Sequence, residues 1–109
     1  MHRVVQMNST GYKATTISSH KSNIETELSN YSTYEYQVND GSDMDDNPTL
    51  GVNADFDSAT GANNFHNWLK NYIQNNSADF ENARTRVHDC YHAAGENKPC
   101  ELGDVWRLS

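Results

Sequence analysis

Apolar and polar residues alternate along the first forty residues of the chain, as they do in strands that bury one face. The clearest alternation covers residues 24–28, where Ile24, Thr26 and Leu28 share one face and two glutamates share the other. Segments rich in Ser, Asn and Gly separate the alternating runs and are typical of turns. The pattern predicts an antiparallel meander with strands over residues 5–7, 12–16, 24–28 and 33–38.

A helical period replaces this alternation in the second half of the chain. One amphipathic helix is predicted with Ser58 or Thr60 as its N-cap. Its apolar stripe consists of Phe65, Trp68, Leu69, Tyr72 and Ile73. A second helix is predicted over residues 77–94, with Gly95 as its stop. A last short strand over residues 104–108 is predicted to pair back into the sheet.

These elements predict an α+β fold: a small antiparallel sheet, a meander of three to four strands plus a C-terminal strand, packed against a two-helix hairpin. Residues 39–48 break all periodicity and are predicted to form a mobile polar loop. A length of 109 residues suits one core, so residues 1–109 are predicted to form a single domain. Hydrophobic content is only 35%, but two Trp, six Tyr and three Phe supply large buried areas.

The net charge of −7 is concentrated in one block of the sequence. Residues 22–69 contain nine carboxylates and neither lysine nor arginine. The glutamates are expected on the outer face of the sheet and the aspartates in loops at its edge. With two nearby tyrosines, they form the predicted partner-binding surface: Glu25, Glu27, Glu35, Asp40, Asp43, Asp45, Asp46, Asp55, Asp57, Tyr31 and Tyr34. Such a field attracts cationic partners and opposes direct nucleic-acid binding. Acidity that serves solubility alone is the competing explanation.

The two cysteines and the N-terminal segment bear on the location of the protein. The first residues lack the apolar run of a secretory signal, which predicts a cytoplasmic protein. In a reducing compartment Cys90 and Cys100 are expected to be free thiols, although their spacing around a turn would permit a bridge.

Two patterns suggest metal binding, and both are incomplete. His88 and His92 lie four positions apart, a spacing that puts two zinc ligands on one face of a helix. The protease pattern with this spacing has a glutamate base and a third histidine, where this chain has Asp89 and Lys98. Residues 43–47 have the Asp-x-Asp-x-Asn spacing that opens a calcium loop, followed by a proline in place of the required glycine. We therefore expect no metal, no cofactor and no catalytic residue.

In size, acidity and outline architecture, the chain resembles the small acidic anti-CRISPR and anti-restriction proteins of bacteriophages. The resemblance includes the acidic-aromatic approach over residues 55–58 to a helix that bears Trp68. It implies a non-enzymatic inhibitor, a DNA mimic in its charge, that acts in the cytoplasm of the host bacterium. The implied partner is a basic nucleic-acid-handling protein or nucleoprotein complex whose binding or subunit-docking surface is blocked.

Two other functions remain open on the sequence. One is a small metal-dependent enzyme that uses the His88 and His92 pair on a helix. The other is an immunity protein against a basic nuclease toxin, which would use the same acidic surface with another partner. Loss of binding on neutralising the acids would separate the binding proteins from the enzyme.

Overall fold

The computed structural model describes residues 2–93, 96 and 98–108. Five strands and two α-helices follow one another, with a short 3₁₀ turn at Ser77–Asp79. The elements are β1 (His2–Gly11), α1 (Ala14–Leu28), β2 (Thr33–Ser42), β3 (Pro48–Phe56), α2 (Ala59–Asn75), β4 (Phe80–Cys90) and β5 (Glu101–Arg107). Neither helix in this described part of the chain is long and apolar enough to cross a membrane.

All five strands form one antiparallel sheet in the order β2-β3-β1-β4-β5. β1 lies at the centre, where Val5 stands opposite Ala54 of β3 and Val87 of β4. The first six elements follow the β-α-β-β-α-β order of ferredoxin-like folds, and β5 extends the sheet beyond β4. The predicted α+β class, an antiparallel sheet with two helices packed against it, is confirmed.

Both helices pack on the same face of the sheet and leave the other face open. Val5, Met7 and Ala54 point from the central strands towards the helices and are buried. Phe65 of α2 packs against Phe56 at the end of β3 and Tyr31 in the connection after α1, with ring centroids 5.4 Å and 5.7 Å away. The core therefore lies between the sheet and the two helices, and the open face is available for other contacts.

The first helix occupies residues for which strands are predicted. Ile17, Ile24 and Leu28 are buried on one side of α1. They lie seven and four positions apart, which is a helical spacing, whereas residues 24–28 taken alone also fit the alternation of a strand. Hydroxyl side chains of α1 bond back to carbonyls one turn earlier, as Thr26 does to Ser22 at 2.9 Å. Such residues are weak helix formers, so local propensity conceals this helix.

The second predicted helix is a strand, so the two helices are separated by β2 and β3 and form no hairpin. The buried residues of β4 include Ala83, Thr85 and Val87, which alternate with a period of two. Thr85 is fully buried although it is polar. It therefore interrupts the apolar alternation in the sequence and leaves the apolar residues Ala83 and Val87 four positions apart, a spacing typical of a helix. Ala94 and Gly95, predicted as the end of that helix, lie outside the described residues.

The predicted helix over α2 and the predicted last strand are confirmed in position. The Ser58 hydroxyl caps α2 by accepting a hydrogen bond from the Gly61 amide at 3.1 Å. Trp68 and Tyr72 pack half-buried against the core, and their rings stack with centroids 4.8 Å apart. The C-terminal strand, β5, is longer than predicted and pairs with β4.

The predicted polar loop is shorter than expected, because β2 continues to Ser42 and β3 begins at Pro48. The Asp43 carboxylate holds the connecting turn by accepting hydrogen bonds from the amides of Asp45 at 2.9 Å and Asn47 at 3.0 Å. These bonds, chiefly the one from Asn47, lower the pKa of Asp43. The spacing that suggests a calcium loop thus forms a turn.

Two buried histidines join the layers of the fold. His20 of α1 bonds the Tyr72 hydroxyl through Nδ1 at 2.5 Å and the Asp79 carboxylate through Nε2 at 2.9 Å. His66 of α2 bonds the Thr85 hydroxyl through Nε2 at 2.6 Å and is only 3% exposed. Burial, and after it the positive charge of Lys70, lower the pKa of His66 to about 4, against the opposing effect of Asp104.

The buried state of His66 predicts a loss of stability in mild acid. Because its folded pKa lies below the ordinary value of 6.5, the unfolded chain takes up the proton first. The stabilising contribution is complete above pH 6.5 and falls by about 3 kcal/mol as the pH drops to 4. Urea unfolding of the wild type and of His66→Gln between pH 7 and pH 4 measures this. If the free energy of unfolding falls equally with pH in the wild type and in His66→Gln, His66 is not the cause of the loss.

Candidate functional site

Exposed acidic residues gather along β2, which is a free edge of the sheet. Glu35 lies on β2, and Asp45 and Asp46 lie in the turn that follows it. Lys21 of α1 forms an ion pair with Asp40 of β2, which places it on the side of the helix that meets β2. Glu25 follows one turn later on the same side of α1. Glu25, Glu35, Asp45 and Asp46 are here called the acidic flank.

The expected position on the outer sheet face is wrong for two of the glutamates. Glu25 and Glu27 lie on α1, because residues 24–28 are helical. Glu35 does lie on the open sheet face, where its strand position pairs with Asp55 of β3. The acidic surface therefore follows an edge of the molecule and the adjoining helix.

Five of the nine predicted partner-binding carboxylates are engaged within the molecule. The pairs are Glu27 with Tyr31, Asp40 with Ser18 and Lys21, Asp43 with its own turn, Asp55 with His2, and Asp57 with Ser32. Within the described part of the chain, the four side chains of the acidic flank make no hydrogen bond or ion pair. Of the nine, Glu35, Asp45 and Asp46 are exposed and Glu25 is half-buried, so these four are the predicted carboxylates left to meet another molecule.

The two predicted interface tyrosines have different environments. Tyr31 packs against Phe56 and Phe65, and its hydroxyl donates to Glu27 at 2.8 Å. Burial, this hydrogen bond and the charge of Glu27 raise the pKa of Tyr31 to about 12. Tyr34 is 57% exposed at the start of β2. Tyr31 therefore belongs to the core, and Tyr34 is available for contact.

Basic side chains lie on the opposite flank of the open face. Arg84 and Arg86 of β4 alternate onto this face, and Arg107 of β5 pairs with Arg84. A shallow groove of about 860 Å³ runs from β2 to β5 at this end of the sheet, lined on its floor by Asn8, Thr49 and other polar residues. Three arginines thus lie on β4 and β5, across the open face from the carboxylates at the β2 edge, although these two strands also carry Glu81, Asp89, Glu101 and Asp104.

A cluster of histidines and cysteines lies at the other end of the open face. His2 and Cys90 occupy paired positions on β1 and β4 and are both buried. Donor atoms of His2, Cys90 and His92 lie within 4.8 Å of one another. Cys90 forms a disulfide with Cys100, with a Cα–Cα distance of 4.4 Å, so the expectation of free thiols is wrong for this structure.

The predicted pairing of His88 and His92 on a helix is also wrong. His88 lies on β4, and its Nε2 atom is 3.0 Å from the Gln6 side-chain oxygen. His92 follows the end of β4, and its ring lies 5.2 Å from the ring of His2, measured between centroids. His88 and His92 are therefore close in sequence but do not form a pair. The pairing of β1 with β4 instead brings His92 close to His2.

No protein-family model, curated protein or solved structure matches this chain.

His2 is the residue of this cluster that sequence reasoning missed. It is separated from Cys90 by 88 positions and reaches it only because β1 pairs with β4 in one register. The single available signal was composition, since His2, His92 and the two cysteines have the side chains that metals and disulfides use. Because residues 80–90 were predicted as a helix and not as the strand β4, composition alone could not show that these four residues lie together.

Proposed function

We propose that this chain is a non-enzymatic binding protein that docks on a basic protein surface through its acidic flank. The observation that supports the proposal is the position of Glu35, Asp45 and Asp46, exposed and without internal partners among the described residues, along a free strand edge. Carboxylates without internal partners retain their full field, which steers a cationic surface towards them. Tyr34 adds an exposed aromatic anchor on the same strand.

The proposed partner is a basic nucleic-acid-handling protein or nucleoprotein complex, which this chain blocks by occupying the surface that receives nucleic acid or another subunit. The resemblance to small anti-defence inhibitors supports this class of partner. The free edge of β2 also offers unpaired backbone groups that a partner strand could meet, so that charge would guide the approach and main-chain hydrogen bonds would add affinity.

The proposed location is the cytoplasm, where nucleic-acid-handling complexes act. Disulfides are typical of oxidising compartments and rare in the cytosol. A cytoplasmic location therefore requires that the Cys90–Cys100 bond be reduced there, and the state of these two residues reports the compartment in which the protein works.

Neutralising the acidic flank tests the proposal. The triple variant Glu35→Gln, Asp45→Asn, Asp46→Asn is expected to bind the partner roughly tenfold more weakly, because each exposed charge pair contributes about 0.2–1 kcal/mol. A pull-down from bacterial lysate identifies the captured basic protein. Titration calorimetry at about 50 and about 300 mM salt, between which the Debye length shortens roughly 2.5-fold, then measures affinity.

The matched control removes the same number of charges from the opposite flank. Glu81→Gln, Glu101→Gln, Asp104→Asn changes three exposed carboxylates on β4 and β5 and gives the same net charge. Its affinity should stay within about threefold of the wild type if position matters more than total charge. Equal weakening in both variants would reduce the role of the acids to general solubility. Sedimentation of the purified chain distinguishes a foreign partner from a second copy docking through its arginines.

A further inference from the structure

His2 is held in one tautomer by a carboxylate. Its Nδ1 atom lies 2.5 Å from Oδ1 of Asp55, and because a carboxylate accepts, Nδ1 carries the proton. In the neutral imidazole, the form that binds metals, the lone pair of His2 is then on Nε2. Among the described residues this Nε2 atom has no hydrogen-bond partner, although His2 is only 5% exposed. A buried unpartnered acceptor is costly. Donor atoms of His2, Cys90 and His92 lie within 4.8 Å of one another, and because Asp55 engages Nδ1, Nε2 is the nitrogen of His2 left to bind a ligand there.

His92 is held in the same way by the backbone. Its Nδ1 atom donates to the carbonyl oxygen of Ala93 at 2.9 Å, which leaves the lone pair on Nε2. That Nε2 atom lies 3.6 Å from Sγ of Cys100. Both imidazoles thus lie beside the disulfide with Nδ1 engaged by an oxygen and Nε2 left as the donor, the arrangement usual for metal-binding histidines.

We propose that, when the Cys90–Cys100 disulfide is reduced, His2, Cys90, His92 and Cys100 bind one Zn²⁺ ion. Two thiolates and two imidazoles are the donor set of a tetrahedral structural zinc site. With Zn–N near 2.05 Å and Zn–S near 2.3 Å, a tetrahedron separates nitrogen and sulfur donors by about 3.5 Å. The 3.6 Å between His92 Nε2 and Cys100 Sγ agrees with this separation.

The two sulfur atoms are the part of the cluster that must move. In a tetrahedral zinc site they would stand about 3.8 Å apart, so the disulfide and the metal exclude each other. Cys90 is fixed at the end of β4, whereas Cys100 lies in the connection that leads to β5 and is half-buried. A small displacement of Cys100 that carries its Sγ away from Cys90 but keeps it about as far from His92 Nε2 opens the site, while His2 and His92 remain in place.

The exchange between the two states balances in electrons and protons. A dithiol reductant is oxidised to its own disulfide and supplies two electrons and two protons, which convert the Cys90–Cys100 bond into two thiols. Zinc then binds both sulfurs as thiolates and displaces the two protons, and no electron moves in this second step. Under oxidising conditions Cys90 and Cys100 therefore close this end of the sheet with a covalent bond. Under reducing conditions all four residues close it by binding a metal ion.

Metal titration of the untagged full chain tests the site. Protein reduced with a phosphine under nitrogen is titrated with Co²⁺, whose tetrahedral thiolate complexes absorb visible light, and then with Zn²⁺ as competitor. The expected result is one equivalent of cobalt bound with thiolate charge-transfer absorption, displaced by one equivalent of zinc. The oxidised protein should bind neither ion at this stoichiometry. Circular dichroism confirms that the reduced chain keeps its fold.

Three substitutions and one control assign the ligands. His2→Ala and His92→Ala should each abolish the tetrahedral spectrum. Asp55→Asn keeps the shape of its side chain but loses its charge, and should weaken zinc binding by about 10–100-fold. His88→Ala is the control, because His88 lies on the same strand near Cys90 but bonds to Gln6 instead.

Three results would overturn the proposed site: no metal uptake by reduced protein that remains folded, equal uptake by oxidised protein, or unchanged affinity in both the His2 and Asp55 variants. This proposal does not depend on the acidic flank, whose neutralised variant leaves these four residues untouched. Failure of one proposal therefore leaves the other standing.

Discussion

Reducing the Cys90–Cys100 disulfide in the presence of a metal chelator is expected to lower the free energy of unfolding by about 3 kcal/mol. The bond closes a loop with a sequence separation of 10 residues, and opening it releases the conformational entropy of the unfolded chain that the loop had restricted. Urea unfolding with and without a phosphine reductant, both in EDTA, measures the difference. A small domain has about 5–15 kcal/mol in total, so the effect is large.

The control for this experiment is the variant Cys90→Ala, Cys100→Ala, whose stability should not respond to the reductant. Adding Zn²⁺ to the reduced wild type should recover most of the lost stability, and adding it to the double-alanine variant should recover none. An unfolding midpoint that is insensitive to reduction would show that the disulfide adds nothing to the stability of the fold.

Phe65→Ala is expected to lower the free energy of unfolding by about 3–5 kcal/mol, a loss that alone could unfold a marginally stable domain. The Phe65 ring is fully buried between the two helices and the sheet, with Tyr31, Phe56 and Trp68 around it. Removing it leaves a cavity that these rigid neighbours cannot fill.

Chemical denaturation followed by tryptophan fluorescence measures this loss, since Trp68 stacks on Phe65 and Trp106 of β5 reports on the sheet. Asn64→Ala is the matched control, because Asn64 is the preceding residue of α2 and is exposed. It should change stability by less than about 0.5 kcal/mol. A small effect of Phe65→Ala would mean that α2 packs less closely than its aromatic contacts indicate.

The fold class could be predicted from the sequence, whereas two of the elements could not. The stripe from Phe65 to Ile73 is regular over more than two turns, and a Ser58 cap begins it, so α2 is specified locally. α1 carries serines and threonines that weaken its helical pattern, and its identity depends on packing against β2 and β3. β4 contains Thr85, whose burial is stabilised by His66 on another element. Neither fact is visible within a local window.

The same limit applies to the candidate surfaces: features that depend on local sequence could be predicted, and features that depend on distant residues could not. The charge block of residues 22–69 predicted an acidic surface, and four of its carboxylates do remain free at one edge of the described part of the chain. Which acids would be engaged internally depended on distant partners, as with Asp55 and His2. The histidine and cysteine cluster depended wholly on strand register, because His2 and Cys90 come from opposite ends of the chain.

The central position of β1 also determines when the molecule can fold. This strand pairs with β3 about fifty residues later and with β4 about eighty residues later, so its hydrogen bonds form only after long loops close. Pairing between residues so distant in sequence slows folding to milliseconds or longer, compared with the microseconds of helical bundles. On the ribosome, β1 emerges before β3 and β4 and must wait for both, and until then its apolar side remains uncovered.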